Sequence, residues 1–444
     1  MKLLPRITPF RGALLASATG YTAYRVLSHD DNKDFSGAPL KKKIQRFNSL
    51  VERGQNPSSM RTRAEQIQSL KAGEPFDVII VGGGCTGAGA ALDSATRGLK
   101  TACIERGDFA NETSSRSSKL IWGGFKAALQ ENSLQPAMPW SPAHQTIIPF
   151  DWHSHTDPPL RATTSPSLLD PSLACCSSEF CMVYECCQER SWLAGQQEHL
   201  VKYVPQAWPP YFDHPFYSIL PVLALPAFLF YDALASFCSP SSYAMGPKKT
   251  KEVFPQLNDV LYSAVYCEAM HNDARTGTAI ALTAAMKGAT IANYVEMVGF
   301  VHGGPEGSTV TGVKCVDKLT GDEFVVKATA VVLATGPFLD SVRRMEQPDC
   351  EKAVAAASGC HIVLPGYFTP GNMGFAELRT SRGATMYFLP WLGHTVVGST
   401  DKKCDATSSP AVSEDEIQYL VNEAATCLSS DIRVRRADVL SAWQ

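Results

Sequence analysis

The sequence predicts an α/β fold with a doubly wound domain, and three features that follow one another in the chain carry this prediction. Residues 76–81 form a short β-branched run typical of a buried strand. Glycines in the spacing G-x-G-x-x-G and an alanine-rich segment come next, and a second apolar run over residues 100–104 ends in Glu105, about 20 residues past the first glycine. Strand, glycine turn, helix, strand and acid in this order form the βαβ unit that binds dinucleotides.

Each part of this unit has a physical role. Gly82 permits the tight turn, Gly84 lets the backbone approach a pyrophosphate, and Gly87 allows the helix to pack closely against the strand. The free N–H groups at the start of the helix face the phosphates, and Glu105 is expected to accept hydrogen bonds from ribose hydroxyls. A glycine-rich loop between core elements is the alternative interpretation of the same residues.

The composition excludes several classes of protein. The chain has 444 residues, enough for two or three domains of about 150 residues each. With 45% hydrophobic residues and a net charge of −3, it is predicted to bury a core rather than to stay disordered. The 40 basic and 43 acidic residues nearly cancel, and no basic cluster is interleaved with aromatic residues, so a nucleic-acid-binding protein is not indicated.

The 14 cysteines do not have the spacing of a disulfide framework. Five of them crowd between Cys175 and Cys187 and the others are scattered, which indicates small buried hydrophobic residues in a reducing compartment. A zinc site needs two separated pairs of ligands, and the crowded cysteines followed by His199 imitate one only crudely. No metal site is predicted.

The first 29 residues contain four basic residues and no Asp or Glu, with a small apolar run over residues 12–24. This composition predicts a mitochondrial presequence. A frayed terminus or a short membrane anchor is the alternative, although the run falls short of the roughly 20 apolar residues of a spanning helix. The polar residues 30–73 predict a linker with a surface helix over residues 59–70 rather than core.

A hydroxyl-rich loop with one lysine, residues 113–121, leads into the glycine pair Gly123 and Gly124. Its side chains can donate many hydrogen bonds to a diphosphate, and the glycines allow the backbone to lie close to a flat ring. By composition alone the loop is equally compatible with a solvated turn or a phosphorylation site.

With these motifs the chain resembles the FAD-dependent glycerol-3-phosphate dehydrogenases of the mitochondrial type. The resemblance covers most of residues 74–125 and 190–443, and its motifs occur in the order of the family. The matching stretches are Phe76–Lys119, Tyr231-Asp232, Lys251–Leu257, His271–Arg275, Ala334–Phe338, His361–Val363, Leu389–Trp391, Gly398–Asp401 and Arg435–Trp443.

The resemblance implies FAD as the cofactor and a fold in two parts. One part is a doubly wound FAD-binding domain of the GR2 type, assembled from discontinuous segments, and the other is a substrate domain built around an antiparallel sheet. Strand patterns over residues 309–317, 323–326 and 330–333 and a helical pattern over residues 273–287 agree with this division. The expected segments are a presequence and linker (1–72), a first FAD-binding segment (73–127), an anomalous insert (128–189), a continuation of the FAD domain (190–345) and a portion of the substrate domain that lacks its C-terminal part (346–444).

The resemblance also implies that the turn Thr335-Gly336-Pro337 packs against the flavin dinucleotide, although a plain strand-ending turn would explain it. The candidate cofactor-binding residues are Gly82, Gly83, Gly84, Gly87, Glu105, Arg106, Thr113, Ser114, Ser115, Ser118, Lys119, Gly123, Gly124, Thr335 and Gly336.

The implied reaction is the oxidation of glycerol 3-phosphate at its C2 alcohol to dihydroxyacetone phosphate, with electrons passed to ubiquinone. The flavin carries the hydride step, while the protein orients the substrate and removes the hydroxyl proton. His361 lies on an apolar run at the position of the family's active-site histidine, and histidine titrates near neutral pH, so it is the candidate base. A core histidine with satisfied hydrogen bonds is the alternative.

The candidate substrate-binding residues are Lys126, His271 and Arg275, although Arg275 could instead form a structural ion pair with Asp273 or Asp259. Lys126 takes the place of a family arginine, so it keeps the charge and loses the bidentate fork.

The chain departs from the family pattern at two further points. Trp122 replaces a histidine, Ala127 replaces a tyrosine, and residues 128–189 then lose both the resemblance and any helical or strand periodicity. This block is expected not to pack as a core, either as a disordered or lid-like insertion or as foreign sequence. Beyond Trp443 the family continues into segments that hold the substrate phosphate and the flavin, and then into a calcium-binding domain. The alternative to an active enzyme is therefore a non-catalytic member that binds FAD weakly or not at all.

Residues 215–238 are the most apolar stretch of the chain, and prolines at positions 215, 221 and 226 argue against a spanning helix. The resemblance implies a surface that enters one leaflet and meets ubiquinone, so a monotopic contact with the inner mitochondrial membrane is predicted. Buried core under a loop is the alternative. The expected partners are glycerol 3-phosphate, ubiquinone, this membrane surface and a second copy of the chain.

Overall fold

The computed structural model describes residues 60–123, 178–209, 220–258, 260, 262–304, 309–377, 380–383 and 385–444. Seventeen strands and eight α-helices lie within these ranges. The strands are β1 (Phe76–Val81), β2 (Thr101–Ile104), β3 (Leu120–Ile121), β4 (Val201–Trp208), β5 (Tyr243–Met245), β6 (Ser263–His271), β7 (Thr290–Ala292), β8 (Val295–Gly303), β9 (Thr309–Asp317), β10 (Glu323–Leu333), β11 (Ala357–Ser358), β12 (His361–Pro365), β13 (Gly374–Glu377), β14 (Met386–Trp391), β15 (His394–Gly398), β16 (Lys402–Lys403) and β17 (Ser441–Trp443). The helices are α1 (Arg63–Lys71), α2 (Cys85–Thr96), α3 (Ser178–Gln196), α4 (Leu220–Leu234), α5 (Pro247–Val253), α6 (Asp273–Met286), α7 (Leu339–Arg343) and α8 (Glu414–Cys427).

The first sheet has six strands in the order β7-β2-β1-β10-β9-β8. The four strands β7, β2, β1 and β10 are parallel, whereas β9 and β8 continue the sheet in antiparallel fashion. Helices α2 and α6 cover one face, where alanines of both helices pack on Val78 and Ile80 of β1. Because alanine has no bulk beyond Cβ, the two helices lie close to the sheet. The doubly wound α/β domain predicted from the glycine motif is confirmed.

The opposite face of this sheet packs on α1. Thr62 caps that helix through the backbone N–H of Glu65, and Leu70 is buried with Phe76 and Ile79. Segment 59–70 was predicted as a surface helix in a linker, but α1 contributes Ile67 and Leu70 to the core. The prediction is wrong for α1, because two apolar side chains three residues apart lie on one face of a helix and suffice to bury it.

The second sheet has nine strands, eight of them in the order β17-β12-β15-β14-β13-β4-β6-β3, with β5 paired to β6. Its strand pairs are antiparallel except for the parallel pair of β13 and β4, which differs from the fully antiparallel substrate-domain sheet predicted. Helix α8 covers one face with Leu420 and Val421 against Phe375 and Phe388. Strands β4, β5 and β6 belong to this sheet, so the assignment of residues 190–345 as a whole to the FAD domain is wrong there. Eight consecutive residue pairs between β4 and β6 hold these strands in the second sheet.

The block over residues 128–189 was predicted not to pack as a core, and its last residues contradict this. Helix α3 begins at Ser178, and Val183 and Cys187 are fully buried against Phe228 and Tyr231. The two buried residues are four apart, which places them on one helix face. Their helical spacing was hidden by the crowded cysteines around them. Residues 124–177 lie outside the described part of the chain.

The apolar stretch predicted to contact a membrane divides between two environments. Residues 220–234 of it form α4, in which Phe228 and Tyr231 are buried while Leu229 and Phe230 are exposed; Phe237 beyond the helix is exposed as well. Within the described ranges no helix is long and apolar enough to cross a bilayer.

Eleven free cysteines lie in the described residues, and six of them are buried, in agreement with their interpretation as small hydrophobic residues. Cys85, Cys238 and Cys404 differ from that interpretation because they are exposed. No cluster of three or more potential metal ligands occurs in these parts of the chain.

Candidate active site

The glycine turn joins β1 to α2 beside the end of β10. Gly82 has φ +112°, in the left-handed region, and a Cβ there would overlap the carbonyl oxygen of Ala334. A Cβ on Gly87 would overlap the carbonyl oxygen of Gly82, so the helix can approach the strand only without a side chain at this position. The tight turn and the close helix packing expected from the sequence are both present.

Glu105 stands at the end of β2 and holds the glycine turn. Its two carboxylate oxygens accept backbone hydrogen bonds, Oε2 from Gly83 at 2.6 Å and Oε1 from Gly107 at 2.8 Å. A carboxylate has about four lone-pair sites, so ribose hydroxyls can still donate to it. The contact with ribose stays a prediction, while the structural role of Glu105 in tying the turn to β2 was not foreseen.

A cavity of 390 Å³ opens at the carboxyl ends of β1, β2 and β10. Ligands of doubly wound folds bind at this edge of the sheet. Eight predicted cofactor residues line the cavity: Gly82, Gly84, Glu105, Arg106, Thr113, Ser114, Thr335 and Gly336. Six others lie outside its lining, namely Gly83, Gly87, Ser115, Ser118, Lys119 and Gly123. Gly124 and Lys126 fall outside the described residues.

Polar groups in this cavity are only partly satisfied. The Ser114 hydroxyl accepts the backbone N–H of Cys85 at 2.9 Å and so joins the hydroxyl-rich loop to the start of α2. The Thr335 hydroxyl is buried and has no hydrogen-bond partner in the described residues. Buried polar atoms are nearly always hydrogen-bonded, so Thr335 indicates a polar ligand in the cavity.

The hydroxyl-rich loop is fixed to α6 by Asp273. This buried carboxylate accepts hydrogen bonds from Lys119 Nζ at 2.8 Å and from the Ser117 hydroxyl at 2.7 Å. Burial raises the pKa of Asp273, but the hydrogen bonds from Lys119 and Ser117 outweigh it and lower the pKa overall. The sequence placed Asp273 in a motif without assigning this role. Lys119 binds Asp273 here, and its predicted contact with the cofactor stays a prediction.

His361 is buried at 5% exposure on β12, where it stacks on Trp443 of the neighbouring β17 at 5.2 Å between ring centroids. Neither ring nitrogen has a hydrogen-bond partner in the described residues. Burial, with a smaller effect of the Lys119 charge, lowers the pKa of His361 to about 4. The backbone of Gly359 also acts on the ring and raises its pKa, so a core histidine stays the alternative to the candidate base.

The loop connects His361 to the cavity. Trp443, which stacks on His361, donates from Nε1 to the carbonyl of Arg116 at 3.1 Å, and the Lys119 ammonium lies 5.2 Å from the Trp443 ring. The same loop contributes Ser114 to the cavity wall. One segment therefore carries both the cavity lining and the support of the His361 ring.

The two other predicted substrate residues lie at the start of α6. Nδ1 of His271 is 3.0 Å from the Thr276 hydroxyl, and burial lowers the pKa of His271. Arg275 is exposed. The pairing of Arg275 with Asp273 was wrong, since Asp273 binds Lys119, and Asp259 lies outside the described residues.

A buried ion pair next to Gly123 was not predicted from the sequence. Arg190 and Glu268 are both fully buried, with Nη1 of Arg190 2.6 Å from Glu268 and 2.7 Å from the Tyr231 hydroxyl. Glu268 also accepts the backbone N–H of Gly123 at 3.1 Å. The partners are 78 residues apart, and no local pattern joins them. This network fixes the backbone of Gly123.

The doubly wound domain, the second sheet and a cavity lined by the first sheet and the hydroxyl-rich loop are features of flavin-dependent oxidoreductases. Residues 77–444 match the family described as FAD dependent oxidoreductase, and the chain belongs to this family. FAD is the cofactor of the family. 

Curated relatives are mitochondrial glycerol-3-phosphate dehydrogenases. The chain is 40% identical to that of Rattus norvegicus over 390 residues, which cover 86% of this chain and 47% of the relative. It is 33% identical to "Glycerol-3-phosphate dehydrogenase SDP6, mitochondrial" of Arabidopsis thaliana, covering 97% of this chain and 62% of the relative. The chain thus spans about half the length of the mammalian relatives it matches. The resemblance stated from the sequence is confirmed.

Solved structures support the fold. The glycerol-3-phosphate dehydrogenase of Bacillus halodurans complexed with FAD aligns with TM-score 0.61 and 23% identity, covering 86% of this chain and 58% of that one. The L-alpha-glycerophosphate oxidase of Mycoplasma pneumoniae with FAD bound aligns with TM-score 0.54 and 14% identity, covering 83% and 82%. The predicted fold class is confirmed.

The residues of the cavity fit a dinucleotide. The unpaired hydroxyl of Thr335 needs a hydrogen-bond acceptor, and the glycine turn brings backbone N–H groups and the start of α2 to the same wall. Arg106, whose guanidinium lies 4.0 Å over the Phe338 ring, also lines the cavity, where its charge is paired with Glu112 at 3.5 Å.

Proposed function

We propose that this chain binds FAD in the 390 Å³ cavity and oxidises glycerol 3-phosphate to dihydroxyacetone phosphate, with the electrons passing to ubiquinone. One observation carries the proposal: three segments distant in sequence, at Gly82–Gly84, Thr113–Ser114 and Thr335–Gly336, meet around a single cavity that contains an unpaired buried hydroxyl. The relatives named glycerol-3-phosphate dehydrogenase support the choice of substrate.

Glu105, Ser114 and Thr335 would hold the cofactor, Glu105 by its remaining lone pairs and Thr335 by its free hydroxyl. Bound FAD would supply the acceptor for the hydride that leaves C2 of the substrate. The protein then has to orient the alcohol and take its proton.

His361 is the proposed base. Because burial lowers its pKa to about 4, the ring is neutral at physiological pH and a ring nitrogen can accept a proton, although it is a weaker base than a histidine that titrates near neutral pH. The unpaired nitrogens leave that position available for the substrate hydroxyl, and the stacked Trp443 holds the ring plane. Arg275, exposed at the start of α6, is proposed to bind the substrate phosphate together with His271 and with Lys126, which lies outside the described residues.

The exposed apolar side chains of α4 and the turn after it support a contact with one leaflet of a membrane. Leu229, Phe230 and Phe237 are each about half exposed, which is costly in water and favourable in a bilayer interface. We place this contact at the inner mitochondrial membrane, where ubiquinone is dissolved, and the mitochondrial relatives support that location. Flotation with anionic vesicles tests it: Phe230→Ser should reduce binding several-fold, while Leu319→Ser, an exposed residue on the β9–β10 turn, should not. Equal binding by both variants would contradict the assignment.

The reaction is tested by colour. The purified full chain, loaded with FAD and kept without oxygen, should be yellow and should lose its flavin absorbance when glycerol 3-phosphate is added but not when glycerol is added. His361→Gln should keep the yellow colour and lose the bleaching. A chain that stays colourless with excess FAD would instead support the non-catalytic alternative.

A further inference from the structure

A second cavity of 540 Å³ shares no lining residue with the flavin cavity. Its walls come from β11 and the residue after it, the turn before β14, the segment after β15 and helix α8. The side chains that line it are mostly hydroxyl-bearing or charged, among them Ser358, Arg382, Asp401 and Tyr419. The proposed flavin chemistry uses none of these residues.

Two hydroxyl groups of this cavity are unsatisfied. The Ser358 hydroxyl and the Tyr419 hydroxyl are buried, and neither has a hydrogen-bond partner in the part of the chain that the structure describes. A buried hydroxyl without a partner is destabilising, so such groups are rare unless a ligand or water satisfies them. Both are donors that could bind an acceptor placed in the cavity.

Arg382 lines the same cavity, and a neighbouring aromatic ring supports its guanidinium group. Its guanidinium carbon lies 3.9 Å from the centroid of the Tyr419 ring, so the ring supports the flat group. The side chain is exposed and has no ion pair among the described residues. Its N–H groups are therefore available to bind an oxyanion in the bidentate geometry that arginine favours.

The remaining charges indicate the class of anion. Lys402 and Lys403 of β16 pair with β11 next to Ser358, and both are exposed. Asp401 is the one carboxylate in the lining that the structure describes, and it can accept a hydrogen bond from a hydroxyl of the ligand.

Two buried carboxylates of the neighbouring α8 are already engaged. Glu416 accepts the hydroxyl of Thr400 at 2.8 Å, and Glu423 accepts the backbone N–H of Ser381 at 3.1 Å. Neither is free to compete for Arg382, so the mouth of the cavity presents cations.

We propose that this cavity is a binding site for a small phosphate monoester that also carries a hydroxyl group. Arg382 binds the phosphate oxygens, and Ser358 and Tyr419 donate hydrogen bonds to them. Asp401 accepts the hydroxyl of the ligand. The proposal does not depend on the flavin reaction, because the two cavities have separate linings.

The test is the thermal unfolding midpoint of the full chain titrated with glycerol 2-phosphate or inorganic phosphate, with ionic strength kept constant by KCl. A ligand of the folded chain raises this midpoint by mass action, and the titration gives its Kd. Glycerol 2-phosphate should bind more tightly than inorganic phosphate. Asp401→Asn should remove that preference.

The variants separate this site from the active site. Arg382→Gln should weaken glycerol 2-phosphate binding about tenfold or more, since a charge-assisted hydrogen bond is lost, and Tyr419→Phe, which keeps the ring under Arg382, should weaken it about fivefold. Arg433→Gln, the loss of an exposed arginine outside both cavities, should leave the Kd unchanged, and so should Arg275→Gln, the loss of the exposed arginine proposed to bind the substrate phosphate. Equal binding by Arg382→Gln and Arg433→Gln, or weakening by Arg275→Gln alone, would overturn the proposal.

Discussion

Replacement of His361 tests the burial and the neutral state of the proposed base. The pKa of His361 is about 4 in the folded chain, below the ordinary value of 6.5. As the pH falls through 6.5, the unfolded chain takes up a proton at this residue, and the folded chain does not until about pH 4. The stability due to the neutral ring is therefore fully present above pH 6.5 and is lost as the pH falls from 6.5 to 4.

The size of this effect follows from the two pKa values. Each unit of difference corresponds to about 1.4 kcal/mol, and between pH 7 and pH 5 the linkage relation gives a loss of about 2 kcal/mol in the free energy of unfolding. Lys119 and Asp273 are the charged groups that act on His361, the first lowering and the second raising its pKa. Neither is removed by the substitution, so the difference between the proteins reports His361 itself.

Urea unfolding at pH 7 and pH 5 measures the effect. In His361→Gln, the decrease in the free energy of unfolding between the two pH values should be smaller than in the parent chain by about 2 kcal/mol. His394→Gln, which removes an exposed histidine at the start of β15, should behave like the parent. The same pH dependence in His361→Gln and in the parent would refute the reasoning.

Two further substitutions test the buried networks around the site. Asp273→Asn leaves the Lys119 ammonium, 12% exposed, without its counter-charge and loosens the loop that Ser117 anchors. We therefore expect the free energy of unfolding to fall by about 3 kcal/mol and FAD to bind more weakly. Unchanged stability would contradict this. Arg190→Met leaves Glu268 buried and unpaired and should lower the free energy of unfolding by about 3–5 kcal/mol. The double variant Arg190→Met with Glu268→Met should lose less. An additive loss in the double variant would contradict the ion pair. Chemical denaturation gives both values.

The sequence predicted the parts of the site that depend on local pattern. The β1 strand, the turn at Gly82 and the first residues of α2 are adjacent, and each requires a particular residue type, so the glycine spacing identified them. Family resemblance then added Thr335 and His361, which no local rule would have joined to that turn.

The long-range contacts could not be predicted. Asp273 meets Ser117 across 156 residues, and Arg190 meets Glu268 across 78, with no periodicity that links the partners. The wrong assignment of β4 and β6 to the FAD domain has the same origin. Both have the sequence pattern of ordinary strands, and only their pairing shows that they belong to the second sheet. Sequence pattern shows what an element is, whereas its partners depend on the packing of the whole chain.

Binding of FAD to two glycine variants of α2 measures most directly whether the cofactor lies in the first cavity. A Cβ on Gly84 would stand 2.9 Å from the Ser114 hydroxyl at the cavity wall, whereas a Cβ on Gly89 of the same helix meets nothing within 4 Å. In an equilibrium titration of FAD followed by its fluorescence, the parent and Gly89→Val should bind the flavin, and Gly84→Val should not. Binding by Gly84→Val with the affinity of the parent would mean that FAD lies elsewhere.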